Sequence, residues 1–284
     1  MPVIDFTLNL AALGIWLNWR ALHFDPLLKS APATLVGTLR RAEPRRIRSW
    51  QLLAGLGLLL ALRALFYWEI GSSADWTPKL NLGLVVLAFP CDHLPSVAWF
   101  SALSFLRILF VLYFWLLAVV FINRPTAEPD PILKLLRLHL GRVARGPWLV
   151  QLLLPFVLIT GVWFGLHPLL ARLQVVNPSK TSPLLEQGLL LGLAPFVTLK
   201  YLLVAFLVLH MVSSYVYLGN HPFWDFIAGT ARHLLAPLTW LPLRFAKVDF
   251  TPLAGIVLLL LLLHWLPTYV LARLARHGVS VWPG

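Results

Sequence analysis

The sequence predicts an all-α, polytopic helical membrane protein with about six transmembrane helices and amphipathic interfacial helices. Three observations carry that prediction. Of 284 residues, 59% are hydrophobic and 12% charged, where a soluble domain is about a quarter charged. Mean hydropathy is +0.80, with the apolar residues gathered in runs near the ~20 residues that span a bilayer. The Lys and Arg residues fall mainly in the stretches between those runs. This distribution excludes a nucleic-acid reading of the +12 net charge. Basic loops beside a bilayer instead set topology and touch anionic lipid.

In chain order, the predicted spans are 6–22, 50–70, 99–122, 148–170, 184–218 and 252–274. The first follows Asp5-Phe6-Thr7 and the sixth follows Asp249-Phe250-Thr251-Pro252. Thr suits a helix N-cap, Pro suits the first helical position, and an acid favours the positive end of the macrodipole. The same order in Asp75-Trp76-Thr77-Pro78 heads the apolar stretch 77–89. That stretch is too short to cross a bilayer and is expected to be re-entrant or interfacial. The fifth span is too long for one straight crossing, so Pro195 is expected to kink it, or a surface-lying start precedes the crossing. With no Lys or Arg in Met1 to Asp5, no cationic n-region is present and the first helix is expected to remain in the mature protein. A single cysteine, Cys91, excludes an intramolecular disulfide.

The loops 21–49, 123–147 and 219–251 are rich in Lys and Arg, and the alternate loops are not. The positive-inside rule places the rich set in the cytoplasm and both termini outside, although Arg273 and Arg276 oppose it. Two of these loops carry amphipathic stretches, 131–145 and 223–235. Both read as helices on the membrane surface or packed on the spans. An internal repeat follows: span, Asn-x-Pro, amphipathic stretch, span. Asn123-Arg124-Pro125 and Asn220-His221-Pro222 mark its two copies, and Leu-Ala-Arg-Leu closes each at 170–173 and 271–274. The chain divides as an N-terminal membrane region, 1–98, and two hairpins, 99–173 and 174–284.

The second hairpin resembles the YggT family of small bacterial and plastid membrane proteins. The residues that carry the resemblance are Ser213-Ser214-Tyr215, Asn220-His221-Pro222-Phe223, Ala236-Pro237-Leu238 and Asp249-Phe250-Thr251-Pro252. The first hairpin keeps Asn-x-Pro but has Gly146-Pro147-Trp148 in place of the Asp-x-Thr-Pro element. Departures are His210, where an Arg is usual, and Ala246-Lys247, where a Gly pair is usual. The resemblance implies a role in envelope maintenance, cell division, or maturation and assembly of membrane complexes. It supplies no catalytic residues. The localisation expected is a bacterial cytoplasmic (inner) membrane, with the main basic loops cytoplasmic.

Charges inside a bilayer are costly and are functional candidates. Arg63, Arg107 and Lys200 fall within predicted spans. They line an ion or proton path, or they snorkel to the surface or pair structurally. Glu69 is six residues from Arg63 and therefore on another helix face, so a simple pair between them is not expected. His210 and His264 are candidate haem ligands between helices. Their depths from the cytoplasmic ends differ by roughly 7 Å, and single His residues in helices more often hydrogen-bond within the bundle. Cys91-Asp92-His93 is the one Cys–His cluster, too few ligands for a metal site. Arg40, Arg41, Arg45, Arg46 and Arg48 are expected to bind anionic headgroups or an acidic partner, or to set topology alone.

No phosphate-cradling loop, nucleophile motif or paired carboxylates emerge. The expected function is therefore non-enzymatic and cofactor-free. The chain is read as an accessory, assembly or scaffold subunit of a membrane complex, or an envelope-maintenance factor, with the lipid bilayer and other membrane-protein subunits as partners. A small-solute or ion transporter and a haem-binding membrane subunit are the alternatives.

Overall fold

The computed structural model describes residues 2–24, 49–74, 76–82, 86–125, 130–176, 184–216, 219, 221–238, 240, 244–245 and 248–276. Helix dominates them: α1 (Pro2–Phe24), α2 (Ser49–Ala74), α3 (Leu94–Ile122), α4 (Pro131–Leu140), α5 (Trp148–Arg172), α6 (Leu184–Tyr215), α7 (Pro222–Leu235) and α8 (Thr251–Arg276). Among the described residues, α2, α3, α5 and α6 are long and apolar enough to cross a membrane. α1 falls short of that group because Asp5, Asn9, Asn18 and Arg20 interrupt its apolar residues. α8 contributes the shorter apolar stretch Thr251–Leu262. α6 runs helically through Pro195, with Thr198 Oγ1 donating to the Pro195 carbonyl at 2.6 Å.

The acid-aromatic-Thr order begins a helix at one of its three sites. Thr251 is the first residue of α8, with Pro252 in its first turn. Thr7 instead lies inside α1, where its hydroxyl donates to the Val3 carbonyl, so it is no N-cap. Thr77 precedes extended chain: strands β1 (Lys79–Asn81) and β2 (Val86–Ala88) form a two-stranded sheet, closed by Phe89 N–H to the Pro78 carbonyl at 3.0 Å. β3 (Arg244–Phe245) and β4 (Val248–Asp249) pair antiparallel just before α8, Arg244 opposite Asp249.

The chain forms two compact units that divide inside α3. One contains Met1–Leu80 and Ala88–Leu109, the other Asn81–Leu87 and Phe110–Gly284. In the first unit, Ala12, Leu56 and Phe105 form a buried cluster with Trp16, Leu60 and Leu109 around it. Ala12 is fully buried, and its small side chain lets helices approach closely. Ser101 Oγ donates to the Leu60 carbonyl at 2.9 Å. The segment after α2 folds back on it: Cys91 Sγ–H donates to the Trp76 carbonyl at 3.1 Å, and a Cβ on Gly71 would overlap the Cys91 sulfur.

In the second unit, α5 and α6 pack antiparallel along a seam of small residues. A Cβ on Gly192 would lie 2.6 Å from Thr160 Oγ1 and 2.8 Å from Phe156 Cδ2. Thr160 Oγ1 donates to the Gly188 carbonyl at 3.0 Å, an interhelical bond typical of close helix approach in an apolar medium. The amphipathic helices α4 and α7 dock by their apolar faces: Phe226 and Ile227 of α7 are buried with Val119 and Phe206, and Ile132 and Leu136 of α4 pack against that cluster. Leu207, Ala231 and Leu235 form the next cluster, bordered by Ile256 and Leu259 of α8. Gly255 makes room there, since a Cβ would come within 2.7 Å of Leu235 Cδ2.

Candidate functional site

Three helices of the first unit each contribute side chains four residues apart, and therefore on one face: Asp5 and Asn9 from α1, Arg63 and Tyr67 from α2, Phe100 and Ser104 from α3. They converge on the Arg63 guanidinium. Arg63 Nη2 donates to Asp5 Oδ1 at 2.7 Å and to Ser104 Oγ at 3.0 Å, and Nη1 donates to Asn9 Oδ1 at 2.8 Å. Asn9 Nδ2 donates to the same Ser104 oxygen at 3.0 Å, and the Tyr67 hydroxyl donates to Asp5 Oδ1 at 2.5 Å. The Tyr67 and Phe100 ring centroids lie 5.5 and 5.4 Å from Arg63 Cζ, within cation–π range.

Arg63 is 2% exposed. A charge so buried is tolerated only when paired and hydrogen-bonded, and a planar guanidinium is the cation best suited to a multi-armed hub. Asp5 is its counter-ion, with the Asp5 side chain 25% exposed. Sequence reading attached Asp5 to the helix dipole and missed this role. The available signal was the pair of polar residues at i and i+4 in the first half of a largely apolar helix.

A second network joins the end of α3 to α7 within the second unit. Asn123 Nδ2 donates to the Val119 carbonyl at 3.0 Å and to Thr230 Oγ1 at 2.9 Å. Thr230 Oγ1 in turn donates to the Phe226 carbonyl at 2.8 Å, and His233 Nδ1 lies 3.2 Å from Asn123 Oδ1. Asn123 and Thr230 are 4% and 0% exposed. The Asn of the first Asn-x-Pro element thus terminates α3 and anchors an amphipathic helix in one step.

Apart from Arg107, which lies within electrostatic reach of Asp5 and Arg63, the other predicted residues are dispersed. Arg107 lies partly buried on α3, three residues after Ser104. Lys200, on α6, places Nζ 5.1 Å from the Tyr201 ring centroid. Glu69 is exposed on α2. His210 is partly buried on α6 and its carbonyl accepts from Ser213 Oγ. His264 belongs to α8, its side chain outside the described residues. Pro222 opens α7 beside the His221 cap, whose Nδ1 accepts from Phe223 N–H at 3.2 Å. Pro237 sits exposed in a 3-10 turn, Ala236–Leu238. Asn220, Arg40, Arg41, Arg45, Arg46 and Arg48, together with the Asp249 side chain, lie outside the described residues.

Cys91 is buried, and that burial raises its thiol above the ordinary cysteine range, with the Asp92 charge adding to the rise. Such a thiol is a poor nucleophile at neutral pH. Among the described residues no group of three or more His, Cys, Asp or Glu is placed to hold a metal ion. No family model matches the chain, and neither a curated protein nor a solved structure does.

Proposed function

We propose that the chain is an integral membrane protein of about six spans, built partly from YggT-like hairpins, that serves as a non-enzymatic accessory or assembly subunit of a membrane complex. The observation that carries this reading is the direction in which polar groups face. Asp5, Asn9 and Arg63 in the first unit, and Asn123 and Thr230 in the second, are bound to one another, while the outer faces of α5 and α8 are apolar. α5 exposes Leu149, Leu153, Val157 and Val162, and α8 exposes Leu253, Val257 and Leu261. A soluble protein rarely exposes such surface, and lipid tails or apolar helices of other subunits cover it. The same logic supports α1 as a span: its acid and Asn9 face inward onto Arg63, and Val3, Phe6 and Leu10 face outward.

Purification from native membranes in mild detergent tests the reading. A stoichiometric membrane-protein partner is expected, and a homogeneous monomer obtained without loss would overturn it. A small-solute or ion transporter is the second reading. It draws on the Asp5–Arg63 pair, which would have to open and reclose in each transport cycle. Charge movement in proteoliposomes, absent from Arg63→Gln, distinguishes it.

A further inference from the structure

Helix α4 lies in sequence between α3 and α5, both long and apolar enough to cross a membrane. One of its faces is spent on the protein: Leu133 is buried, and Ile132 and Leu136 pack against the α7 cluster. Its other face is not: Leu135 and Leu138 are 58% and 44% exposed, and they alternate with exposed Lys134 and Arg137. The chain then turns at Gly141, whose φ of +59° ends the helix. A 3-10 turn, Gly141–Arg145, follows and presents exposed Arg142 and Arg145.

This turn is held in place. Gln151, buried on α5, donates from Nε2 to the Ala144 carbonyl at 2.8 Å and the Val143 carbonyl at 3.4 Å. α5 itself starts without a side-chain cap or an acid in its first turn, so the positive end of its dipole adds to the nearby arginines. Trp148, its first residue, is 52% exposed, in the manner of an interfacial anchor.

The geometry points to this face, α4 through the start of α5, as a binding surface for anionic phospholipid headgroups. Four cations stand against one described acid, Asp130, and that acid is already engaged as the cap of α4, accepting from Ile132 N–H at 2.8 Å. Among the described residues none of the four cations forms an ion pair. An anionic phospholipid meets both needs of the surface. Its phosphate neutralises the arginines, and its acyl chains receive Leu135, Leu138 and Trp148. An acidic protein would need an apolar patch beside its acids to cover the same leucines. The inference rests on the membrane placement and not on a protein partner, so a monomer in the purification above leaves it standing.

The test uses the full-length protein in mild detergent, titrated with fluorescent phosphatidylglycerol or phosphatidylcholine. Wild type is expected to prefer phosphatidylglycerol by at least about tenfold, with the preference shrinking as salt rises. Arg137→Gln/Arg142→Gln/Arg145→Gln removes most of the preference, and the matching triple Lys variant keeps it. Leu135→Ser/Leu138→Ser weakens both lipids alike. The proposal is overturned by a salt-independent preference in wild type or by an undiminished preference in the triple Gln variant. It is also overturned if that variant sheds an acidic protein while keeping its lipid. If a variant fails to fold, the wild-type titration still overturns the proposal when the preference does not shrink with salt.

Discussion

Arg63 Nη2 and Asp5 Oδ1 lie 2.7 Å apart although 58 residues separate them in sequence, and this ion pair joins α1 to α2. A pair of this kind contributes less to stability than its geometry suggests, because the guanidinium lost its water and the carboxylate part of its own. What it governs is the cost of removing one partner. Arg63→Gln leaves Asp5 without its cation and is expected to destabilise the protein by about 3–5 kcal/mol. Asp5→Asn/Arg63→Gln, which removes both charges, should recover a large part of that loss. Thermal unfolding in detergent, followed by tryptophan fluorescence, measures both; a double variant as unstable as Arg63→Gln refutes the pairing.

Asn123 supports α7 through Thr230. Asn123→Ala strips a buried hydroxyl of its donor and is expected to cost about 1–3 kcal/mol. The loss should be local: hydrogen exchange should accelerate across Pro222–Leu235 and leave α1 and α2 unchanged. Uniform acceleration over all helices would show that Asn123 does not act on α7.

The α5–α6 seam distinguishes a glycine inside it from one outside it. Gly192→Ala drives a methyl into Thr160 and Phe156 and should lower stability by about 1–3 kcal/mol. Gly161→Ala, on α5, meets nothing within 4 Å and should be neutral or slightly stabilising. Equal melting temperatures for the two variants would contradict the seam.

The Cys91 thiol has a pH signature. Its folded-state value is raised by burial and by Asp92, so alkylation of the native protein should reach half its maximal rate at higher pH than alkylation of the denatured chain. A group whose folded value is raised stabilises fully below its unfolded value, and that contribution is lost as pH rises through the folded value. Wild type should therefore lose stability on the alkaline side more steeply than Cys91→Ser. Coincident alkylation profiles for native and denatured chain would count against the buried placement.

The helices were legible because hydrocarbon runs of spanning length have few alternatives, and 50–70, 99–122 and 148–170 fall inside α2, α3 and α5. The amphipathic stretches at 131–145 and 223–235 were legible from their period, since one face of each had to find the core. The strands at Lys79–Asn81 and Val86–Ala88 were not, because a thirteen-residue apolar stretch carries no period that separates extended from helical chain. The hub was missed for a different reason. Arg63 stood out as an intramembrane charge, but its counter-ion lay in another helix, and Asp5 already had a sufficient local explanation at the start of α1. Pairing across 58 residues leaves no mark in either neighbourhood. The two i, i+4 polar pairs on α1 and α2 were the trace it did leave.

Asn123 reaches Thr230 across 107 residues of chain. At synthesis rates of 5–20 residues per second, that interval is roughly 5–20 s. During it, the end of α3 exists without the helix that completes its hydrogen bonds. The Arg63 hub closes earlier, since Ser104, its last member, precedes Asn123 in the order of emergence. The second network therefore matures last, and the nascent protein passes through a period in which an unfinished polar end waits for a helix still being made.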